Sequence, residues 1–235
     1  MHIHSSLSAC GSDVMSPGQI LNEALEKGLG LISITDHNAT CHSKILHQLA
    51  KKEKINSLLG VELTTKEEVH LLGYFPDENS FDEIENKINE CLPKKDNMPG
   101  FFGYQLIYDR TDQIVGIDSK FRQNALQIGI DDLVDFIHSI GGLAIPAHIN
   151  RKHCGLINQI GFLDSFSEFD AVELSKDEWQ KKQNKFGDTL NGFPIISGSD
   201  SHFIEDIGLF FLEIADSFDM NNFYSFKKIL EGIKS

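Results

Sequence analysis

The sequence predicts an α/β fold built on a largely parallel sheet, with ligand-type side chains gathered at one rim. Three observations predict it. The chain opens strand, helix, strand, helix, an order that favours parallel strands joined by crossover helices. Its 235 residues suit one domain with a large core, a common size for an α/β barrel. Residue types that bind metal also recur where apolar runs end, and barrel enzymes build their sites at the ends of strands.

The two termini carry the clearest pairs. His2 and His4 are separated by one residue, so on a strand both imidazoles face the same way. The apolar run Phe193 to Ser197 reads as a buried strand ending at Gly198, with Asp200 and His202 just beyond its tip. A fold that lays the first strand beside the last joins these pairs into one site. The first strand starts almost at residue 1, which leaves room for a short N-terminal extension.

Between these ends the elements follow in order. Ser16 suits a helix N-cap, Pro17 the first helical position and Gln19 a capping box. Ile20, Leu21, Ala24 and Leu25 form the apolar stripe, and Gly28 or Gly30 ends the helix. Leu31 to Thr35 is a buried strand followed at once by Asp36 and His37, and a second helix runs through Ile45, Leu46, Leu49 and Ala50. The strands Leu58–Glu62 and Val69–Tyr74 are too close for a crossover, so they predict a hairpin. A turn near Lys66 would set Glu62 directly opposite His70, with Cβ atoms roughly 5 Å apart.

Residues 80–92 have helical spacing. The segment at about 93–130 reads as an insertion, with an exposed hairpin around Asp109–Gln113. A helix over Ile130–Ile140, strands Leu143–Ala147 and Asp170–Leu174, and a helix over about 177–186 lead back to the Phe193–Ser197 strand. Leu209–Ile214 and the amphipathic Phe223–Ile233 complete the chain. One domain over residues 1–235 is the expectation.

Hydrophobic residues make up 40% and charged residues 24%, as in an ordinary globular protein. The net charge of −14 offers no basic footprint for a long nucleic acid, but bound cations can reconcile it with a small phosphorylated substrate. No stretch reaches the roughly 18 apolar residues of a membrane span, and no signal-peptide pattern opens the chain. Cys10, Cys41, Cys91 and Cys154 show no CxxC spacing, so reduced thiols in a cytoplasmic protein are expected. His42, His47 and His138 sit within helices and read as structural.

His2-Ile3-His4, Ile34-Thr35-Asp36-His37, Pro146-Ala147-His148 and Ser199-Asp200-Ser201-His202, with Glu62 and His70 between them, resemble the PHP (polymerase and histidinol phosphatase) domain of metal-dependent phosphoesterases. The resemblance covers the chain outside the 93–130 segment. It implies a distorted (β/α)7 barrel holding two or three divalent ions (manganese, zinc or iron) and hydrolysis of a phosphate ester by metal-activated water. It implies that His2, His4, Glu62 and Asp200 hold one ion, that Glu62 bridges to a second held by His70 and His148, and that His37 and His202 hold a third. Glu62, Asp200 and His202 are thus the catalytic candidates. Asp36 would orient a neighbouring ligand.

At the third ion the sequence departs from the family pattern. Many members carry Asp or His five or six residues beyond the second histidine, where this chain has Ala9 and Cys10. Cys10 can ligate as a thiolate, with Asp13 as a backup ligand. Arg151, Lys176 and His153 are the candidates for contact with substrate phosphate. Glu173 points toward the site without a ligand role. The expected substrate is a small molecule, a nucleotide or a short oligonucleotide. The alternatives are a metal-dependent amidohydrolase, whose bridging lysine is not evident, and a catalytically silent metal- or phosphate-binding domain. Retention of all but one of the expected ligands favours catalysis. The insertion is read as a lid or dimer contact whose deletion would alter substrate choice or solubility more than metal binding.

Overall fold

The computed structural model describes residues 1–161, 168–213 and 222–234. Helix α1 (Pro17–Glu26) starts as its sequence dictates. Ser16 Oγ accepts from the Gln19 amide at 3.2 Å, and Pro17 occupies the first turn. Its buried stripe, Ile20, Leu21 and Ala24, packs with Ile3, Ile32, Ile34 and Leu46. Helix α2 begins at Cys41 and ends at Ala50.

Strand β1 (Leu31–Ile32) pairs in parallel with β2 (Asn56–Ser57). The opening strand narrows to one residue, since Ile3 makes parallel bridges to both Ile34 and Ser201. The His4 amide donates to Ser201 O at 2.9 Å and the Thr35 amide to Ile3 O at 2.8 Å. The two ends of the chain therefore meet at the first residues of the sequence.

Strand β3 (Leu59–Thr64) pairs antiparallel with β4 (His70–Phe75), as a five-residue connection requires. The register differs from the expected one, because Glu62 faces Leu72 and His70 faces Thr64. The turn is centred one residue later, at Glu67, which shifts the pairing by two. A slip of two keeps every side chain on its own face, so Glu62 and His70 remain diagonal neighbours on one surface.

Helix α3 (Glu78–Cys91) is capped by Asp77, which accepts from the Ser80 amide at 2.9 Å. In the insertion, the short helix α4 (Pro99–Phe102) precedes a hairpin of β5 (Leu106–Tyr108) and β6 (Ile114–Ile117). A lone two-stranded hairpin is marginal in water. This one is anchored by the Leu106 amide on Ser6 O (2.8 Å) and the Tyr108 amide on His42 Nε2 (2.9 Å). Asn38 Nδ2 donates to Arg122 O (2.6 Å) and Asn124 O (3.0 Å).

Helix α5 (Ile130–Ser139) leads to β7 (Leu143–Pro146), which runs antiparallel to β4. The chain continues through α6 (Leu156–Ile160), β8 (Val172–Leu174), α7 (Lys176–Lys181), β9 (Thr189–Leu190), β10 (Phe193–Ser197) and the final helix α8 (Phe223–Lys234). Strand β10 pairs in parallel with β8 and antiparallel with β9. Leu209–Glu213 forms no strand, and Ile214 lies outside the described residues.

The described strands form four separate sheets, none of which closes on itself. The architecture shown is a mixed α/β fold, and the described sheets do not by themselves trace the expected distorted (β/α)7 barrel. The reason is local: β4 is antiparallel to both neighbours, and the opening strand pairs through Ile3 alone. No described helix is long and apolar enough to cross a membrane.

Alternation along β4 separates the packing from the chemistry. Leu71 and Phe75 join one core with α3 and α5, while Leu72 and Tyr74 turn to another with β7 and α8. His70 shares the second face, so the ligand-bearing end of the strand rests on Leu72, Tyr74 and Phe226. Phe226 is fully buried and meets Tyr74 edge-on at 6.1 Å. Replacing Phe226 by Ala is expected to cost about 3–5 kcal/mol. Chemical denaturation checks this, and a loss below about 1 kcal/mol would show that α8 does not brace the core.

Candidate metal centre

The centre is assembled around one carboxylate. Glu62, fully buried on β3, has five imidazoles around it. His37 Nδ1 and His70 Nδ1 lie at 3.0 Å, His4 Nε2 and His148 Nε2 at 3.2 Å, and His2 Nε2 at 3.4 Å. Asp200 Oδ1 adds a second carboxylate, 3.1 Å from His4 Nε2 and 3.4 Å from His2 Nε2. His202 is the outermost ring, 4.5 Å from the His4 ring centroid.

These contacts are close but poorly aligned. His2 Nε2, His37 Nδ1, His70 Nδ1 and Glu62 Oε2 are buried, yet none makes a hydrogen bond. Buried polar atoms without partners are costly, and here several converge on the same small volume. Lone pairs directed at a common point rather than at each other's protons suit a divalent cation. The donor set is imidazole and carboxylate, which fits zinc, iron or manganese. Donor atoms within 4.8 Å of one another fall into three groups: His2, His4 and Glu62; His37, Glu62 and His70; and His4, Cys10 and His202. The allocation implied by the resemblance pairs His37 with His202. In the structure His37 lies with Glu62 and His70, while His202 lies with His4 and Cys10.

Several rings have their orientation fixed from behind. His2 Nδ1 donates to Glu173 Oε2 at 2.9 Å, which leaves Nε2 for the centre. Glu173 also accepts the His148 amide at 3.1 Å. The space behind His2 is so tight that a Cβ at Gly198 would fall 2.5 Å from both Glu173 Oε1 and His2 Cβ. His4 Nδ1 donates to Ser8 Oγ at 3.2 Å, and Ser8 Oγ donates to Asp36 Oδ1 at 2.7 Å. Asp36 thus acts through Ser8 and does not touch the ring itself. His202 Nδ1 donates to Asp200 O at 2.7 Å. His148 and Asp200 hold left-handed backbone, with φ of 29° and 48°, which is uncommon outside glycine and concentrates at functional sites.

The charges reinforce each other. Burial opposes ionisation of Glu62, but His70, His37 and His2 hold its carboxyl well below the usual range. Burial pulls His2 down, while Glu173, Asp200 and Glu62 raise it to about 10. His70 is likewise raised to about 10, against burial, mainly by Glu62. A cation entering the centre competes with these protons. Burial raises the Cys10 thiol, but His37 and His4 bring it below its ordinary value.

Of the substrate candidates, Arg151 reaches the rim, where one guanidinium nitrogen contacts Asp200 Oδ2 at 2.5 Å and the side chain is 46% exposed. Lys176 and His153 are exposed, and no described contact joins them to the cluster. Asp13 is exposed, and its carbonyl accepts from Tyr108 Oη at 2.9 Å. Sequence reasoning missed the serines Ser5 and Ser8 and the bracing role of Glu173. It also missed Cys154, whose carbonyl accepts the His70 amide at 3.0 Å. A serine or a lone thiol carries no spacing signal, whereas Glu173 was visible as a carboxylate near a strand tip. His138 pairs with Asp170 at 2.9 Å, and His47 meets Ser57 at 2.9 Å, both away from the centre.

Such an arrangement could hold divalent ions on a mixed α/β scaffold. The chain belongs to the PHP domain family: the PHP domain model matches residues 1–190, and the PHP-associated model matches residues 189–235. Comparison with curated proteins found no match. Among solved structures the fold resembles endonuclease Q bound to a 27-mer duplex with an abasic lesion (TM-score 0.67, 18% identity, 99% of this chain and 55% of that one). It also resembles the lesion-specific endonuclease Q of Pyrococcus furiosus (0.66, 19%, 99% and 55%). A third likeness is to a metal-dependent phosphoesterase of Bifidobacterium adolescentis (0.59, 14%, 97% and 94%). The chain thus spans about half the length of the endonuclease Q chains, and likeness at these identities is one of fold.

Glu173→Gln is expected to keep the fold but weaken metal binding about 10–100-fold, because an outer carboxylate sets the tautomer of His2. Chelator competition on the purified protein measures it. Unchanged affinity would mean that packing alone orients His2.

Proposed function

We propose that the protein hydrolyses a phosphate ester of a small molecule, nucleotide or short oligonucleotide at a centre of two or three divalent ions. The observation that carries this reading is the convergence of five imidazoles on Glu62, with Asp200 beside them and a guanidinium at the rim. Divalent ions held there would supply an activated water and screen the phosphoryl charge.

The chain's own residues divide the work. His2, His4 and Asp200, with Glu62, form one ligand group. Glu62 extends to a second with His37, His70 and His148. His202 flanks the first group beside His4 and Asp200. Glu62 and Asp200 are the catalytic carboxylates, since each places its oxygens among several donors. Asp200 also holds Arg151 at the mouth, where its remaining N–H groups can grip a phosphoryl oxygen bidentately. Lys176 and His153 are exposed and available to the part of a substrate beyond the phosphoryl group.

The same proposal includes a single domain over 1–235 with 93–130 as its insertion, and a distorted (β/α)7 barrel. The barrel is supported by the circuit of neighbours from Ile34 through Ile3 to Ser201, and from β10 through β8 and β7 to β4 and β3. A cytoplasmic setting is supported by four unpaired thiols. The strong negative charge disfavours a long duplex as substrate. Because endonuclease Q acts on a lesion-bearing duplex, such a duplex belongs in the test.

The experiment is turnover with Mn²⁺, Zn²⁺ or Fe²⁺ on p-nitrophenyl phosphate, its diester, histidinol phosphate, nucleoside mono- and bisphosphates, a 5′-phosphorylated dinucleotide and an abasic duplex. Metal-dependent hydrolysis of at least one ester, reduced by about 10²–10³ in Asp200→Ala, is expected. Metal bound without turnover of any ester would overturn the proposal in favour of an amidohydrolase or a silent binding domain.

A further inference from the structure

We infer that Cys10 ligates a divalent ion as a thiolate beside His202, which makes this subsite selective for thiophilic zinc, iron or cobalt over manganese and magnesium. The inference rests on the metal-dependent reading of the Glu62 centre and adds the class of ion that one part of it takes.

The first ground is position. The donor atoms of His4, Cys10 and His202 lie within 4.8 Å of one another. Donors sharing one ion at zinc–sulfur and zinc–nitrogen distances of about 2.0–2.3 Å lie no more than about 4.5 Å apart, so small side-chain rotations suffice. His202 spends Nδ1 on Asp200 O, so its Nε2 is the free donor. His4 Nε2 also faces Glu62 and Asp200, and one lone pair serves one ion. The His4 ring lies 4.5 Å from both the His37 and the His202 rings, so His37 is at hand to complete the trio. His37 Nδ1 is itself buried without a hydrogen-bond partner.

The second ground is construction, since the loop carrying Cys10 is pinned on every side. Ser5 is held by Asp36 through its amide (2.7 Å) and its hydroxyl (2.5 Å). Ser6 O accepts the Leu106 amide, and the Ser12 amide donates to His202 O at 2.9 Å, which ties the cysteine loop to the histidine loop. The Gly11 amide donates to Ser8 O at 2.8 Å, and a Cβ at Gly11 would fall 2.2 Å from Ser5 O. A turn this tight fixes the residue before it, so Cys10 is presented among imidazoles with little freedom to leave. A preorganised thiolate favours soft ions, because sulfur binds zinc, iron and cobalt far better than it binds manganese or magnesium.

The test uses the full chain and cobalt as a spectroscopic probe. Titration of Co²⁺ into the metal-free protein should give a near-ultraviolet sulfur-to-cobalt charge-transfer band. Cys10→Ala should abolish the band while cobalt still binds elsewhere in the centre, and Cys154→Ala should retain it. Without any substitution, saturating Zn²⁺ should slow alkylation of Cys10 at least about tenfold, read by mass spectrometry. Cys10→Asp should lower the preference for Zn²⁺ over Mn²⁺ by about tenfold or more. A band that survives Cys10→Ala overturns the inference. So does full cobalt loading with no band, which leaves the metal-dependent reading standing. Failure to bind any cobalt overturns both.

Discussion

Burial of the Glu62 carboxylate is the constraint on which the rest depends. An isolated buried charge is very costly, and among the described residues no lysine or arginine pairs with this one. Its compensation comes from His2, His4, His37, His70 and His148, delivered by separate strand ends and loops. The fold must bring residues from the first and second halves of the chain to one point, and the bridges of Ile3 to Ile34 and Ser201 do so. The carboxylate and its imidazoles therefore serve both as a structural hub and as the chemical centre.

A hub of this kind works only if each ring is held in one tautomer. Glu173 fixes His2, Ser8 fixes His4 and the Asp200 carbonyl fixes His202. Each of these three bonds is made by Nδ1, so each ring offers Nε2 inward. Glu173 also accepts the backbone amide of His148, so one carboxylate orders two ligands on different elements. The left-handed backbone at His148 and Asp200 is kept in place by this over-determination, which is how strained residues persist at functional sites.

Much of this was legible in the sequence. The HxH pair, the DxH pair and the histidines at strand tips announce themselves by period and by the apolar runs before them. The hairpin of Glu62 and His70 was legible as a pairing but not as a register, because Thr65–Val69 contains no turn signature that fixes its centre. The division of the strands into separate sheets was not legible. Whether a neighbour is parallel or antiparallel depends on long-range placement, and β7 approaches β4 antiparallel without any local signal. The braces were illegible for a different reason. Ser5, Ser8 and Cys154 act through contacts that only tertiary packing creates, and no spacing rule selects them.

The insertion reads from sequence as a lid or dimer contact, and its hydrogen bonds add a role in the wall of the centre. Tyr108 donates its amide to His42 Nε2, which obliges His42 Nδ1 to carry the proton and donate to Ser5 Oγ at 2.7 Å. Ser5 Oγ in turn donates to Asp36. Burial lowers the His42 pKa, so the ring is neutral and the relay has one direction. On the other side, Asn38, immediately after His37, is held by the carbonyls of Arg122 and Asn124 and returns a contact through Arg122 to its own carbonyl at 2.9 Å. The hairpin thus secures both the loop that follows His4 and the turn that carries His37. A segment whose removal would take a hydrogen bond from each of Ser6, Asn38 and His42 is part of the wall of the centre. Its effects should therefore be felt first in how firmly the donors are held.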